Sequence, residues 1–222
     1  AWGVGRGGLG GWREEARSEM GAPGVRAAVG VANGSIVRAA VGLADVEASS
    51  PLSDTVGMPG GSTGKTFVAA LTMLLVEDGM LSLEDPASKW LGDMAWFNRL
   101  PNAEAIRVRH LLAHTSGIRD YPDSMRYQLT SFWRALRRGS IRFEPEELIA
   151  FVLDEKPPFS VGTGFRYTDA GYLVLGRLIE AASGESYYQL LDQRILTPQR
   201  LHEVRPADRS VLSDITPGYS RG

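Results

Sequence analysis

The chain has 222 residues, 43% of them hydrophobic and 23% charged, with a formal net charge of -2. That length suits one sizeable domain with a real core, or a domain plus a small subdomain, the composition excludes wholesale disorder, and the near-neutral balance lacks the basic footprint that nucleic-acid binding needs. With no cysteine there is neither a disulfide framework nor a thiolate metal site, and no run approaches the eighteen apolar residues of a membrane span.

In chain order, residues 1–11, AWGVGRGGLGG, are glycine-rich and read as a flexible lead-in to a domain over 12–222. The first residue is Ala1, not Met, and no charged-then-apolar leader precedes the folded part, so the expectation is either a removed leader or a fragment. WREEARSEM, 12–20, suits a short helix. Two β-prone runs flank Asn33-Gly34, the strongest short hairpin signal, and predict strands near 25–32 and 35–42. A loop rich in Ser, Pro and Asp follows. From Ser62 the period changes: Phe67, Ala70, Leu71, Leu74 and Leu75 recur at helical spacing and Gly79 closes the run. This helix is apolar on more than one side, which predicts a central, buried position.

Further on, LSLEDPASKWL reads as a turn and short helix, and RVRHLLAHTSG as a helix stopped by Gly117. Helices are predicted over 131–138 and 145–154, the second started by Glu144-Pro145. DAGYLVLGRLIEAASG and SYYQLLDQRIL give two more, and there is no fixed-period repeat. Two early strands with many helices make an α+β class whose sheet is short of strands.

The stretch GGSTGKTF, 60–67, has two incompatible readings. A phosphate-binding loop needs G-x-x-x-x-G-K-[ST], with glycines that let successive amides wrap the phosphates. Here the first glycine is replaced by Pro59, which has no amide to offer, and no buried strand precedes it. The alternative is a nucleophile, Ser62, with Lys65 one helical turn later on the same face. A hydroxyl needs such a partner to become nucleophilic, and the start of a helix favours developing negative charge. A lysine among apolar neighbours has a lowered pKa and can act as a base.

Alone, S-x-x-K is a weak signal. The segment MPGGSTGKTFVAALTMLLVEDGMLSLEDPASKWL, however, resembles the nucleophile helix of the serine β-lactamase and penicillin-binding family, closest to the branch of class C β-lactamases, D-alanyl-D-alanine carboxypeptidases and related esterases. IRVRHLLAHTSGI and FSVGTGFRYTDAGYLVLGRLIEAASG resemble further segments of that branch in the same order, over roughly residues 20 to 220. The resemblance implies a β-lactamase/transpeptidase-like fold, a helical region packed on an antiparallel sheet. It makes Ser62 the acyl-accepting nucleophile, Lys65 its partner and Tyr167 the phenol that exchanges protons with Ser62 and the leaving group. Asp169 and Tyr121 become candidate substrate contacts, Tyr121 through its RDYPDSMRY loop. It implies a small-molecule or peptide substrate (a β-lactam, a D-alanyl peptide or a small ester), no metal and no organic cofactor. It slightly favours a periplasmic or secreted location over a cytoplasmic one, and it leaves the oligomeric state open.

Two departures matter. Asp169 stands where the family's Y-x-N motif has asparagine, and an ionised carboxylate accepts hydrogen bonds without donating any. Beside Lys65 it would favour the ammonium form, a poorer base. Nor does any K-T-G or H-x-G follow Tyr167. The expectation is therefore a C-terminally incomplete domain lacking strands of the sheet, poorly active as it stands, with a catalytically silent penicillin- or peptide-binding relative as the alternative.

Other candidates read as structural. His110 and His114 have the spacing of zinc ligands, but Leu111 stands where a metalloprotease carries glutamate. A triad of Ser116, a histidine and Asp120 would crowd near neighbours in sequence into a geometry they rarely provide. Trp90, Trp96, Phe97 and Trp133 read as core, and Arg134, Arg137 and Arg138 as a solvated helix face.

Overall fold

The computed structural model describes residues 6–138, 142–208 and 215–219. The chain divides into two compact units, Ala1–Gly60 with Val211–Gly222, and Gly61–Ser210.

In the first unit, helix α1 (Arg6–Met20) packs on strands β1 (Gly24–Gly30) and β2 (Ile36–Asp45). The helix begins at Arg6, inside the predicted lead-in, and takes in Gly7, Gly8, Gly10 and Gly11. Each interior glycine costs a helix about 1 kcal/mol, so contact with the strands outweighs propensity here. Residues 1–5 lie outside the described residues.

β1 and β2 pair antiparallel from Gly24↔Gly42 to Gly30↔Ile36. The hairpin is the predicted one with a wider turn. Val31 N donates to Ser35 O at 3.0 Å, Gly34 sits at φ +83, and Asn33 Oδ1 accepts from Ser35 N at 3.0 Å. A short β3 (Ser50–Pro51), unpredicted, pairs antiparallel with β2 across a register shift between Leu43 and Asp45. Gly42 makes this geometry possible: its φ is +87, and a Cβ there would lie 2.2 Å from Pro23 O. Among the described residues the sheet has three strands in the order β1-β2-β3.

The second unit is helical. A 3₁₀ turn, Gly61–Thr63, leads into α2 (Gly64–Glu77); then come α3 (Ser88–Leu91), α4 (Val108–Leu112), α5 (Met125–Arg138), α6 (Pro145–Ile149), α7 (Asp169–Ser183) and α8 (Tyr187–Leu191), which runs on into a π-helical turn, Asp192–Leu196. The central helix is α7, not α2. It touches α2, α3, α4, α6 and α8 and buries Ala170, Gly171, Val174, Leu175, Leu178 and Ile179. Those six recur as two rows at i, i+4, a single broad stripe. The apolar residues of α2 are spread round the helix, so it buries Leu71, Thr72 and Leu75 while Met73 stays 46% exposed.

Phe97, Ile106, Val108, Leu111, Ile118 and Ile149 complete the core against these helices. Helix α5 starts six residues before the predicted one, and α6 stops five residues short of it. The outer face of α5 carries exposed Leu129, Phe132, Trp133 and Leu136, while Arg134 turns inward to pair with Glu147 and lies 4.0 Å from the Phe143 ring centroid. Arg134 therefore does not belong to the solvated face expected for the arginines, and the Arg138 side chain lies outside what the structure describes.

Candidate active site

The site is built from the starts of two helices and the loop before each. Ser62 lies in the 3₁₀ turn just ahead of α2, exposed, with Lys65 second in the helix. The N-cap residue of α2, Thr63, makes no side-chain capping bond.

The start of α7 is held far more tightly. Thr168, almost fully buried, is its N-cap: Oγ1 accepts from Gly171 N and donates to Arg119 O, both at 3.1 Å. One oxygen of Asp120, Oδ1, accepts from the amides of Tyr121 (3.1 Å), Asp169 (2.9 Å) and Ala170 (3.1 Å). His114 brackets the residue in between. Its carbonyl accepts from Arg166 N at 3.0 Å, its Nδ1 accepts from Thr168 N at 3.2 Å, and its ring lies 4.6 Å from that of Tyr167 and 4.9 Å from that of Tyr172. These contacts fix the Tyr167 backbone on both sides and one face of its ring.

Tyr167 then reaches Ser62: its hydroxyl donates to Ser62 Oγ at 2.7 Å. Lys65 Nζ lies 4.7 Å from the Tyr167 ring centroid and 5.7 Å from that of Tyr172, and it donates to Asp169 Oδ1. The structure thus brings together Ser62, Lys65, Tyr167 and Asp169, four side chains from two helix starts over a hundred residues apart. Tyr121, the fifth candidate, is half-buried against the core with its ring 5.0 Å from Tyr127. Burial, then the charge on Asp169, pushes its phenol up to about 12.

The electrostatics correct one expectation. Burial alone would lower the Lys65 ammonium, but its hydrogen bond to Asp169 and the neighbouring Tyr167 outweigh it and hold the group above its ordinary 10.5. Lys65 is therefore a cation at neutral pH and not the free base its spacing suggested. His114 is held below the ordinary histidine value, first by burial and then by the Lys65 charge. A ring that accepts at Nδ1 and stays neutral carries its proton on Nε2. Asp120 is raised by burial and by neighbouring Asp169, against the pull of its three amide donors.

His114 and Asp120 are the residues that sequence reasoning undervalued. The HLLAH spacing suggested one helix face, but α4 ends at Leu112 and His114 takes a left-handed φ of +56. His110 instead closes the start of α4, its Nδ1 accepting from Arg107 N at 3.1 Å. Gly117 does not stop that helix. It has φ +75 and sits where a Cβ would meet Phe159 O at 2.6 Å. Ser116 is fully buried, its Oγ accepting from Ile118 N at 3.3 Å, away from any triad. Among the described residues no cluster of three or more His, Asp or Glu could hold a metal ion, and no helix is long and apolar enough to cross a membrane.

A helix-opening serine with lysine one turn on, met by a tyrosine from the head of a second helix in an α+β chain, defines the β-lactamase/transpeptidase-like fold. The Beta-lactamase family model matches residues 12–206, and the chain belongs to that family. It is similar to penicillin-binding protein 4* of Bacillus subtilis (strain 168), 27% identical over 183 residues that cover 82% of this chain and 37% of that protein. It is also similar to esterase EstB of Burkholderia gladioli, 26% identical over 176 residues, 73% of this chain and 42% of the esterase. Among solved structures, a D-stereospecific amidohydrolase from Streptomyces sp. superposes with a TM-score of 0.73 at 27% identity, over 86% of this chain and 54% of that one. The chain spans less than half the length of these two curated relatives.

Proposed function

We propose that the protein is a serine hydrolase that opens an amide or ester carbonyl with Ser62 and passes through an acyl-enzyme. The observation that carries this reading is the 2.7 Å hydrogen bond between the Tyr167 hydroxyl and Ser62 Oγ, with the Lys65 ammonium against the phenol ring. The Tyr167 hydroxyl turns from Ser62 Oγ to the leaving nitrogen or oxygen and Ser62 turns to donate to Tyr167, the reverse of the resting bond. Oγ then bonds to the carbonyl carbon as its proton passes to the Tyr167 oxygen and the Tyr167 proton passes to the leaving group. One proton is carried in all, and Lys65 need not lose its own. Its charge faces the negative charge that develops along this path. Water then attacks the acyl-enzyme, and the same relay runs in reverse to restore the Ser62 hydroxyl. The Ser62 amide would be one of the oxyanion donors, beside a helix start whose N-cap, Thr63, makes no side-chain capping bond.

The substrates that fit this reading are small molecules or peptides, a β-lactam, a D-alanyl peptide or a small ester, and not nucleic acid. The Lys65–Asp169 ion pair favours a second reading, a penicillin- or peptide-binding relative that does not turn over, because it removes the free amine as a base. Pre-steady-state kinetics with a chromogenic ester separate the two. A hydrolase gives a burst of leaving group that Ser62→Ala abolishes, and a silent binder gives none.

A further inference from the structure

Helix α5 lies on the protein with its apolar side outward. Tyr127, Ser131 and Arg134, spaced four and three residues apart, form the inner row. Tyr127 meets the rings of Tyr121, Phe143 and Phe151 at 5.0 to 5.5 Å, Ser131 Oγ is buried, and Arg134 pairs with Glu147. Met125, Leu129, Phe132, Trp133 and Leu136 fall on the opposite side at i, i+4, i+7, i+8 and i+11, each between 51% and 67% exposed. Trp133, expected in the core from the sequence, belongs to this outer stripe, its ring 5.7 Å from that of Phe132. A single exposed apolar residue needs no explanation, but five along one side of a helix mark a surface that binds something.

The charge around the stripe indicates what binds. Helix α5, MRYQLTSFWRALRR, carries four arginines and no carboxylate. Arg126 and Arg137 are exposed along one edge of the stripe, the Arg137 guanidinium 5.6 Å from the Trp133 ring centroid. The nearest carboxylates on either side in sequence are paired already, Asp123 with Arg166, Glu144 with Arg142 and Glu147 with Arg134. Two copies packed stripe to stripe would bring like charges together, with no acid on the helix to offset them.

We propose that α5 is an interfacial anchor, which lays its apolar stripe into the surface of a bilayer that contains anionic lipid. Such helices combine large apolar side chains, Trp and Phe among them, with arginine at the boundary and polar residues on the other side. At 14 residues α5 is too short to span a bilayer, so it lies in the plane of the surface. It belongs to the same compact unit as Ser62 and Tyr167, and the anchor therefore brings the candidate site to the lipid surface. The assignment does not depend on Ser62 being a nucleophile.

The test is vesicle flotation of the intact chain, with Trp emission recorded as vesicles are added. One set of vesicles is phosphatidylcholine alone, the other equal parts phosphatidylcholine and phosphatidylglycerol. The expected result is binding to the anionic vesicles about tenfold or more tighter than to the neutral ones, since each arginine near such a surface adds to the attraction. Salt weakens that preference. Trp emission shifts to the blue on binding, and Trp133→Phe still binds but loses most of the shift. Phe132→Ser/Leu136→Ser abolishes flotation, and Arg137→Glu lowers affinity for the anionic vesicles roughly tenfold. Both variants keep the urea midpoint, as exposed positions should. Equal binding to the two sets of vesicles, or flotation indifferent to Phe132→Ser/Leu136→Ser, overturns the anchor. Failure to float also overturns it. In that case self-association lost in Phe132→Ser/Leu136→Ser assigns the stripe to a second copy, and a monomer leaves it to a protein partner.

Discussion

The two helix starts that form the site are built in opposite ways. At α7, four side-chain acceptor bonds converge on successive amides: His114 on Thr168, Asp120 on Asp169 and Ala170, and Thr168 on Gly171. At α2, Ser62 stands exposed in a 3₁₀ turn, and Thr63 caps nothing with its side chain. The difference is one of purpose. Side-chain acceptors on successive amides make a rigid mount for Tyr167, whereas the start of α2 carries no side-chain cap, which under the proposed function leaves that end to a substrate's developing negative charge. Stability is concentrated in the phenol arm, and the proposed function puts reactivity on the hydroxyl arm.

Breaking the reactive arm has the largest effect. Ser62→Ala is expected to lower ester hydrolysis by roughly 10⁴-fold or more and to change stability by less than about 0.5 kcal/mol, as an exposed site should; steady-state rates and urea melts check both. Breaking the rigid arm reverses the pattern. Asp120→Ala strands three amides and is expected to cost about 1–3 kcal/mol in urea unfolding, with lost activity following from a misplaced Tyr167; Asp120→Asn keeps an acceptor and costs less. The helix caps sharpen the contrast. Thr168→Ala is expected to cost about 1 kcal/mol, whereas Thr63→Ala, which removes no capping bond, stays within about 0.5 kcal/mol.

The pH dependence gives the smallest effect. Folded His114 and His110 both sit below the ordinary value of 6.5. The unfolded chain therefore binds protons that the native state refuses, and stability falls as pH drops below about 6.5 through the folded values. His114→Gln is expected to flatten part of that acid slope and leave the His110 share. At the other end, Lys65 is raised above 10.5, so the ion pair's contribution is full below that value and is lost only as pH rises above it. Asp169→Asn is expected to move any alkaline limb of kcat/KM downward.

Much of this was legible in the sequence because it is local. Asn33-Gly34 marks its hairpin, Ser62 and Lys65 share a face by helical spacing, and Tyr167 stands just before an apolar helix. What was not legible depends on tertiary contacts. No periodicity announces that His114 takes a positive φ and turns its ring onto Tyr167, or that Asp120 collects the amides of residues 49 and 50 positions later. The identity of Asp169 was visible, and so was the tendency of a carboxylate to keep Lys65 charged. The spacing alone had suggested a lysine base, and only the packed site shows which effect wins. Likewise the glycines of 6–11 argue against a helix by themselves, and contact of α1 with the sheet reverses that.

Reactivity at Ser62 is tested most directly by mass spectrometry of the protein after exposure to an alkyl fluorophosphonate. The relay of Tyr167, Lys65 and Ser62 predicts a single phosphonyl adduct on the peptide that contains Ser62, slowed in Tyr167→Phe and absent in Ser62→Ala. An adduct on a different residue, or labelling that persists in Ser62→Ala, would contradict it.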